Sequence, residues 1–200
     1  MSSSLGTKRG WRESQAGLSM IELLIAMLVL AVGMMGSMIL VRTAIVNNNR
    51  NKLDTTATAL AQMVLEQINS RPASTNTNFN ITDCTGVASV VNPTGAAAPG
   101  GGAGAILIQP PSFNAGNIDF SQDYAAVPAG YAMQYVTCGP ANAQVTYEIR
   151  WNVTIVSGAP PPGTTFTKLV TVSARKRVAT TTSALPFFTV PVTLRGIGGQ

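Results

Sequence analysis

From Leu23 to Val41 the chain carries no charged residue, and only Gly33, Gly36 and Ser37 interrupt its apolar side chains. At about 1.5 Å per residue, a helix over this run spans about 30 Å, close to the hydrocarbon thickness of a bilayer. Lys8, Arg9 and Arg12 precede it against Glu13 alone, three cations and one anion. The positive-inside rule therefore places the N-terminus in the cytoplasm and the chain from about Asn47 onward across the membrane. One acidic side chain, Glu22, sits just inside the leading edge of the run. A lone carboxylate there is costly, on the order of 2.5–3.5 kcal/mol at a helix centre and less near the edge.

A secretory signal has a shorter apolar region followed by a small-residue cut site. Here the small residues, Ala16 and Gly17, come before the apolar run. A cut at that point removes a charged leader and leaves the hydrophobic helix on the mature protein. The stretch "GLSMIE" (17–22) resembles the class III leader of type IV pilins and type II secretion pseudopilins. Gly17 would precede the cut, Leu18 would be the first mature residue and Glu22 the fifth. Leu18 stands where the family most often has Phe, and Ser19-Met20 where it has Thr-Leu. The resemblance implies cleavage after Gly17 and N-methylation of Leu18 by a prepilin peptidase. The implied partners are other major and minor pilins and an inner-membrane assembly platform. The chain would cross the inner membrane once, with its head in the periplasm and later on the pilus or cell surface. Glu22 of one subunit could then meet the new amine of its neighbour's Leu18, a buried charge pair that specifies register even where its net stabilisation is small. The plainer reading has Glu22 snorkelling at the cytoplasmic edge of a simple anchor. Gly33, Gly36 and Ser37 are either a close-packing face or incidental.

Other functions find little support. With no histidine, the commonest general base and most transition-metal sites are missing, and two cysteines are too few for a structural zinc site. No enzyme, cofactor or metal is expected. If the chain is exported, Cys84 and Cys138 form one disulfide. It would close a loop of roughly 55 residues, worth about 3–4 kcal/mol by loop entropy. The net charge of +5 lies on a chain of which only 10% is charged, poor evidence for nucleic-acid binding. Arg175, Lys176 and Arg177 could touch DNA phosphates or anionic lipid, but such a cluster is usually a solvated strand end. Asp119 and Asp123 could offer oxygens to Ca²⁺, yet the twelve-residue loop pattern is absent and a polar turn is the simpler reading. Asn80 and Asn152 begin glycosylation triplets that also arise by chance.

Past Arg42, Val46, Leu53, Ala57, Leu60, Val64 and Ile68 recur at helical spacing, and Pro72 supplies a stop. Asn47–Asn51 is a weak helix former, either a bend or the solvated exit from the membrane. Residues 73 to 104 are polar, then glycine-rich through "GAAAPGGGAG", and read as a flexible surface loop. In "QVTYEIRWNVTIVS" (144–157), Val145, Tyr147, Ile149, Trp151, Val153 and Ile155 alternate with Thr146, Glu148, Arg150, Asn152 and Thr154, giving a strand with one apolar face. "GAPPPGT" turns it, "FTKLVTVSARK" returns as a hairpin, "YAMQYVT" and "AILIQ" add strands, and "FFTVPVTL", holding Pro191, is an edge or tail.

The expected fold is α+β: a long N-terminal helix, transmembrane in its first half, packed on an antiparallel sheet. Leader 1–17, membrane or filament-core helix 18–46, amphipathic continuation 47–72 and β-rich head 73–200 are the expected segments. The long helix, "TATALAQMVLEQI" and "YEIRWNV" look most like minor pilins of the PilV type. A type II secretion pseudopilin shares the front end, and a binding domain on a plain anchor is the third possibility.

Overall fold

The computed structural model describes residues 19–72, 76–97, 101–140, 143–156, 167–177 and 190–198. Its one long helix, α1, covers Met20–Asn69. The chain divides into two compact units that meet at Asn48 and Asn49. In the first, every described residue is exposed, and the apolar side chains of α1 find no cover in their own chain. The helix there is long and apolar enough to cross a membrane.

In the second unit α1 buries Ala57, Leu60, Ala61, Val64 and Ile68, with Leu53 partly covered. Those spacings make one stripe. Burying each large member is worth about 1.5–3 kcal/mol, several times any difference in helix propensity, so packing rather than propensity holds this part of α1 in place. Val46 continues the same spacing in the sequence but is 56% exposed. Asn47–Asn51 is helical throughout, with no break in assignment. After Asn69 the chain tightens, Arg71 N–H donating to Ile68 O at 3.3 Å, and Pro72 ends the run.

The stripe packs on a mixed sheet of six strands. β1 (Phe79–Thr82) and β2 (Ala88–Val91) form a separate antiparallel hairpin. The large sheet holds β3 (Ala96–Ala97), β4 (Ala103–Gly104), β5 (Ala132–Val136), β6 (Thr146–Ile155), β7 (Lys168–Lys176) and β8 (Val192–Gly198). β7 pairs antiparallel along all of β6 except its first residue, and β8 lines β7 as an edge that begins after Pro191. Along the other side of β6 lie β5, β4 and β3 in turn, only β3 being parallel. This is an α+β fold with one long N-terminal helix on a largely antiparallel sheet. "GAPPPGT" and the two phenylalanines of "FFTVPVTL" lie outside the described residues.

Two expectations need correction, and the reading of β6 needs extension. The glycine-rich run is not merely a loop, since it supplies β3 and β4 to the sheet. Its glycines permit close approach: a Cβ on Gly104, at φ +117°, would stand 2.4 Å from Trp151 O and 2.6 Å from the Tyr131 ring. "AILIQ" is not a strand; it offers only an isolated bridge from Leu107 to Ile118. Nor does β6 have a solvent face. Tyr147, Ile149, Trp151 and Val153 look toward α1, but Glu148, Arg150 and Asn152 are buried as well, 4%, 1% and 2% exposed. Residues 101–127 fold over that second face and satisfy its polar groups.

Candidate functional site

The front of α1 is a capped helix end. Glu22 N–H donates to Ser19 Oγ at 3.3 Å and to Ser19 O at 3.0 Å, while Leu23 N–H donates to Ser19 O at 3.2 Å. Ser19 thus meets one of the donors a helix leaves unpaired at its start. Glu22 lies in the first turn, where the helix dipole favours negative charge. Ser-x-x-Glu is a capping-box spacing, a helix-start signal that the pilin-like reading of the same residues overlooked. Further along, Ser37 Oγ donates to Met34 O at 2.8 Å and Thr43 Oγ1 to Ile39 O at 2.9 Å. Both hydroxyls are satisfied within the helix, as hydrocarbon surroundings require. A Cβ on Gly33 or Gly36 would meet nothing within 4 Å. Gly17 and Leu18 lie outside the described residues.

The remaining candidates lie in the head, where none of them forms a reactive constellation. A disulfide joins Cys84, in the β1–β2 turn, to Cys138, just past β5, with Cα atoms 5.0 Å apart. Asp119 accepts from Ser121 N–H at 2.8 Å and Ser121 Oγ at 2.7 Å, and Asp123 caps the short 3-10 turn Tyr124–Ala126. Each aspartate is used by its own turn, and among the described residues no three metal-ligating side chains gather. The Ser121 hydroxyl and amide hold the Asp119 carboxyl below its usual pKa, with burial opposing them and Arg150 adding to them. Asn152 is unavailable to a glycan: its amide donates to Gly101 O at 3.1 Å and Ala105 O at 2.9 Å. Asn80 is exposed on β1.

The basic run Arg175–Arg177 is partly committed inward. Arg175 reaches Glu148 Oε2 through Nε at 3.2 Å and Nη2 at 3.0 Å, and its guanidinium lies 4.3 Å from the centre of the Phe120 ring. Arg177 binds Gln134. Arg150 completes the cluster, with Nε 2.6 Å from Glu148 Oε1, Nη1 2.8 Å from Gln122 O, and its guanidinium 4.9 Å from the same ring. One carboxylate between two guanidiniums, under a shared aromatic cover, fastens residues 119–122 to β6 and β7. Sequence alternation set Glu148 and Arg150 opposite the one apolar face of the strand; no local signal announces the segment that covers them.

A second unforeseen group is Lys168, 1% exposed. Its ammonium donates to Ile68 O at 2.7 Å and Arg71 O at 2.8 Å, capping the carbonyl end of α1. Burial pulls its pKa below the usual lysine value. That cap takes the place of the glycine that commonly closes a helix.

With this geometry in view, the chain matches one family model, described as a prokaryotic N-terminal methylation motif, over residues 12–38. No curated protein and no solved structure matches it. The matched motif and the apolar helix that follows support a type IV pilin-like protein or pseudopilin, processed by prepilin peptidase and anchored in a membrane. They point to a structural subunit that assembles with other pilins rather than to an enzyme.

Proposed function

We propose that the chain is a minor pilin of the PilV type that takes part in type IV pilus assembly or initiation. The observation that carries this reading is the coincidence of the methylation motif over residues 12–38 with a helix start whose apolar side chains have no cover in their own chain. Such a helix needs lipid before assembly and other helices after it. Residues 1–17 are the leader, 18–46 the membrane and filament-core helix, 47–72 its amphipathic continuation and 73–200 the exported head. Prepilin peptidase cuts after Gly17 and methylates Leu18. Glu22 then faces the new ammonium of a neighbouring subunit, and the inner-membrane platform extracts the processed chain into the filament. A type II secretion pseudopilus would use the same front end, and loss of secretion rather than of pili on deletion would identify it.

Mass spectrometry of the mature N-terminus tests the reading. The expected first peptide begins at N-methyl-Leu18, and Gly17→Ala leaves the leader in place. A fully active protein that still begins at Met1 removes the proposal.

A further inference from the structure

The two glycosylation triplets of the sequence fold into opposite surroundings. Asn152 is 2% exposed, and its amide is spent on Gly101 O and Ala105 O. A sugar on that nitrogen would break both bonds and prise the covering segment off the sheet. Asn80 stands on β1 with its side chain in solvent, and Thr82, the third member of its triplet, is exposed as well.

Period-two alternation makes this arrangement. Ile81 turns inward, 6% exposed within the core, and Phe79 packs partly against the same core. Asn80 and Thr82 therefore share the outer face, about 7 Å apart along the strand. Across the hairpin they stand opposite Val90 and Ala88, both exposed. Within the described residues no hydrogen bond engages the Asn80 amide or the Thr82 hydroxyl, so both groups are free to meet another molecule.

This outer face is also poorly guarded. β1 pairs with β2 on one side, and no other described strand lies along its second side. Sheet edges are commonly protected by charge, proline, a bulge or short length. β1 is short, but from Phe79 to Val91 the one charged residue is Asp83, which is buried and bonded within its own turn. Val87 and Val90 are 59% and 48% exposed on the same hairpin. A hydrated oligosaccharide rooted at Asn80 would cover this uncharged edge.

We propose that Asn80 is N-glycosylated on the exported head, with an oligosaccharide carried on a polyprenyl diphosphate as the donor. This inference rests on the export of the head in the filament reading above. Asn80 Nδ2 forms a bond to the anomeric carbon of the first sugar as the bond from that carbon to the diphosphate oxygen breaks. The diphosphate leaves with the electron pair, and one Nδ2 proton passes to a base of the membrane transferase. Nothing is oxidised or reduced. Thr82 Oγ1, on the same face, is the second group by which the transferase holds the acceptor, and Ile81 between them meets the requirement that the middle residue not be proline.

The test is peptide mass spectrometry of the full chain purified from the cells that produce it, as wild type, Asn80→Gln, Thr82→Ser and Thr82→Ala. Both positions are exposed, so each variant keeps the core contacts of the hairpin. Wild type and Thr82→Ser should carry sugar on the peptide that contains residue 80. Asn80→Gln and Thr82→Ala should lose it, and the Asn152 peptide should be bare in every sample. A bare Asn80 in wild type, sugar that survives Thr82→Ala, or sugar on Asn152 overturns the assignment. The same spectra report the N-terminus. A Leu18 terminus with a bare Asn80 removes the glycan and leaves the filament reading standing. A Met1 terminus with a glycosylated Asn80 removes the filament reading and keeps the site; a Met1 terminus with a bare Asn80 removes both.

Discussion

Asp83 accepts four hydrogen bonds: Oδ1 from Thr85 Oγ1 at 2.7 Å, Thr85 N–H at 2.9 Å and Val87 N–H at 3.0 Å, and Oδ2 from Val136 N–H at 3.4 Å. The Thr85 hydroxyl does most to lower its pKa below the ordinary aspartate value; burial opposes this, and the Val87, Thr85 and Val136 amides add to it. A carboxyl with a lowered folded pKa contributes stability above its unfolded value, and that contribution is lost as pH falls through the folded one. Asp83→Asn should therefore melt below wild type at neutral pH, with the gap narrowing in acid and closing below the folded pKa. Asp119 shifts in the same direction but is common to both proteins, so it cancels in the difference. Thermal melts followed through Trp151 between about pH 7 and about pH 2 check this; a gap that stays constant would mean the carboxylate's charge is not what the site uses. The turn at Asp83 lies in a stretch that reads from the sequence only as a flexible loop, and its bond to Val136 depends on a partner 53 residues away that no local pattern specifies.

At the scale of elements, β6 and β7 were legible because period-two alternation survives any tertiary context. The strap formed by β3 and β4 was not. Its glycines signal freedom when read alone, and only the Trp151 carbonyl beside Gly104 reveals that they provide room. The end of α1 was legible at Pro72, but its cap was not, because Lys168 lies 100 residues from Ile68. Replacing Lys168 with Met keeps most of the buried stem and removes both charged hydrogen bonds, leaving the Ile68 carbonyl in the last turn of α1 and the Arg71 carbonyl just past it short of a donor. The desolvation of a buried ammonium is regained in part, so the net loss should be about 2 kcal/mol, less than the sum of the two bonds. Urea unfolding measures it, and faster amide exchange at Ser70 and Arg71 should accompany it. An unchanged midpoint with unchanged exchange would show that the carbonyls find water or another donor at no cost.

For the molecule as a whole, the two units obey different rules. The head builds its own core, with Trp151, Val153, Val170 and Val172 all wholly buried, and closes it with the Cys84–Cys138 disulfide. The membrane part of α1 buries nothing, and its meaning was legible from residues 13–42 alone because a bilayer imposes length and polarity rules that need no tertiary contact. This separation lets a defect in assembly be told from a defect in folding. Glu22→Ala leaves the Ser19 cap and every head contact untouched, and it removes a carboxylate whose proposed partner is the amine of another subunit. Leader removal, N-methylation and the melting temperature of the head should all match wild type, while the amount of the chain recovered in sheared filaments should fall at least tenfold, a change of about 1.4 kcal/mol or more in the incorporation equilibrium. Wild-type recovery would leave Glu22 with only its place in the first helical turn. Lost processing would instead mean that the peptidase, rather than the neighbouring subunit, reads the carboxylate.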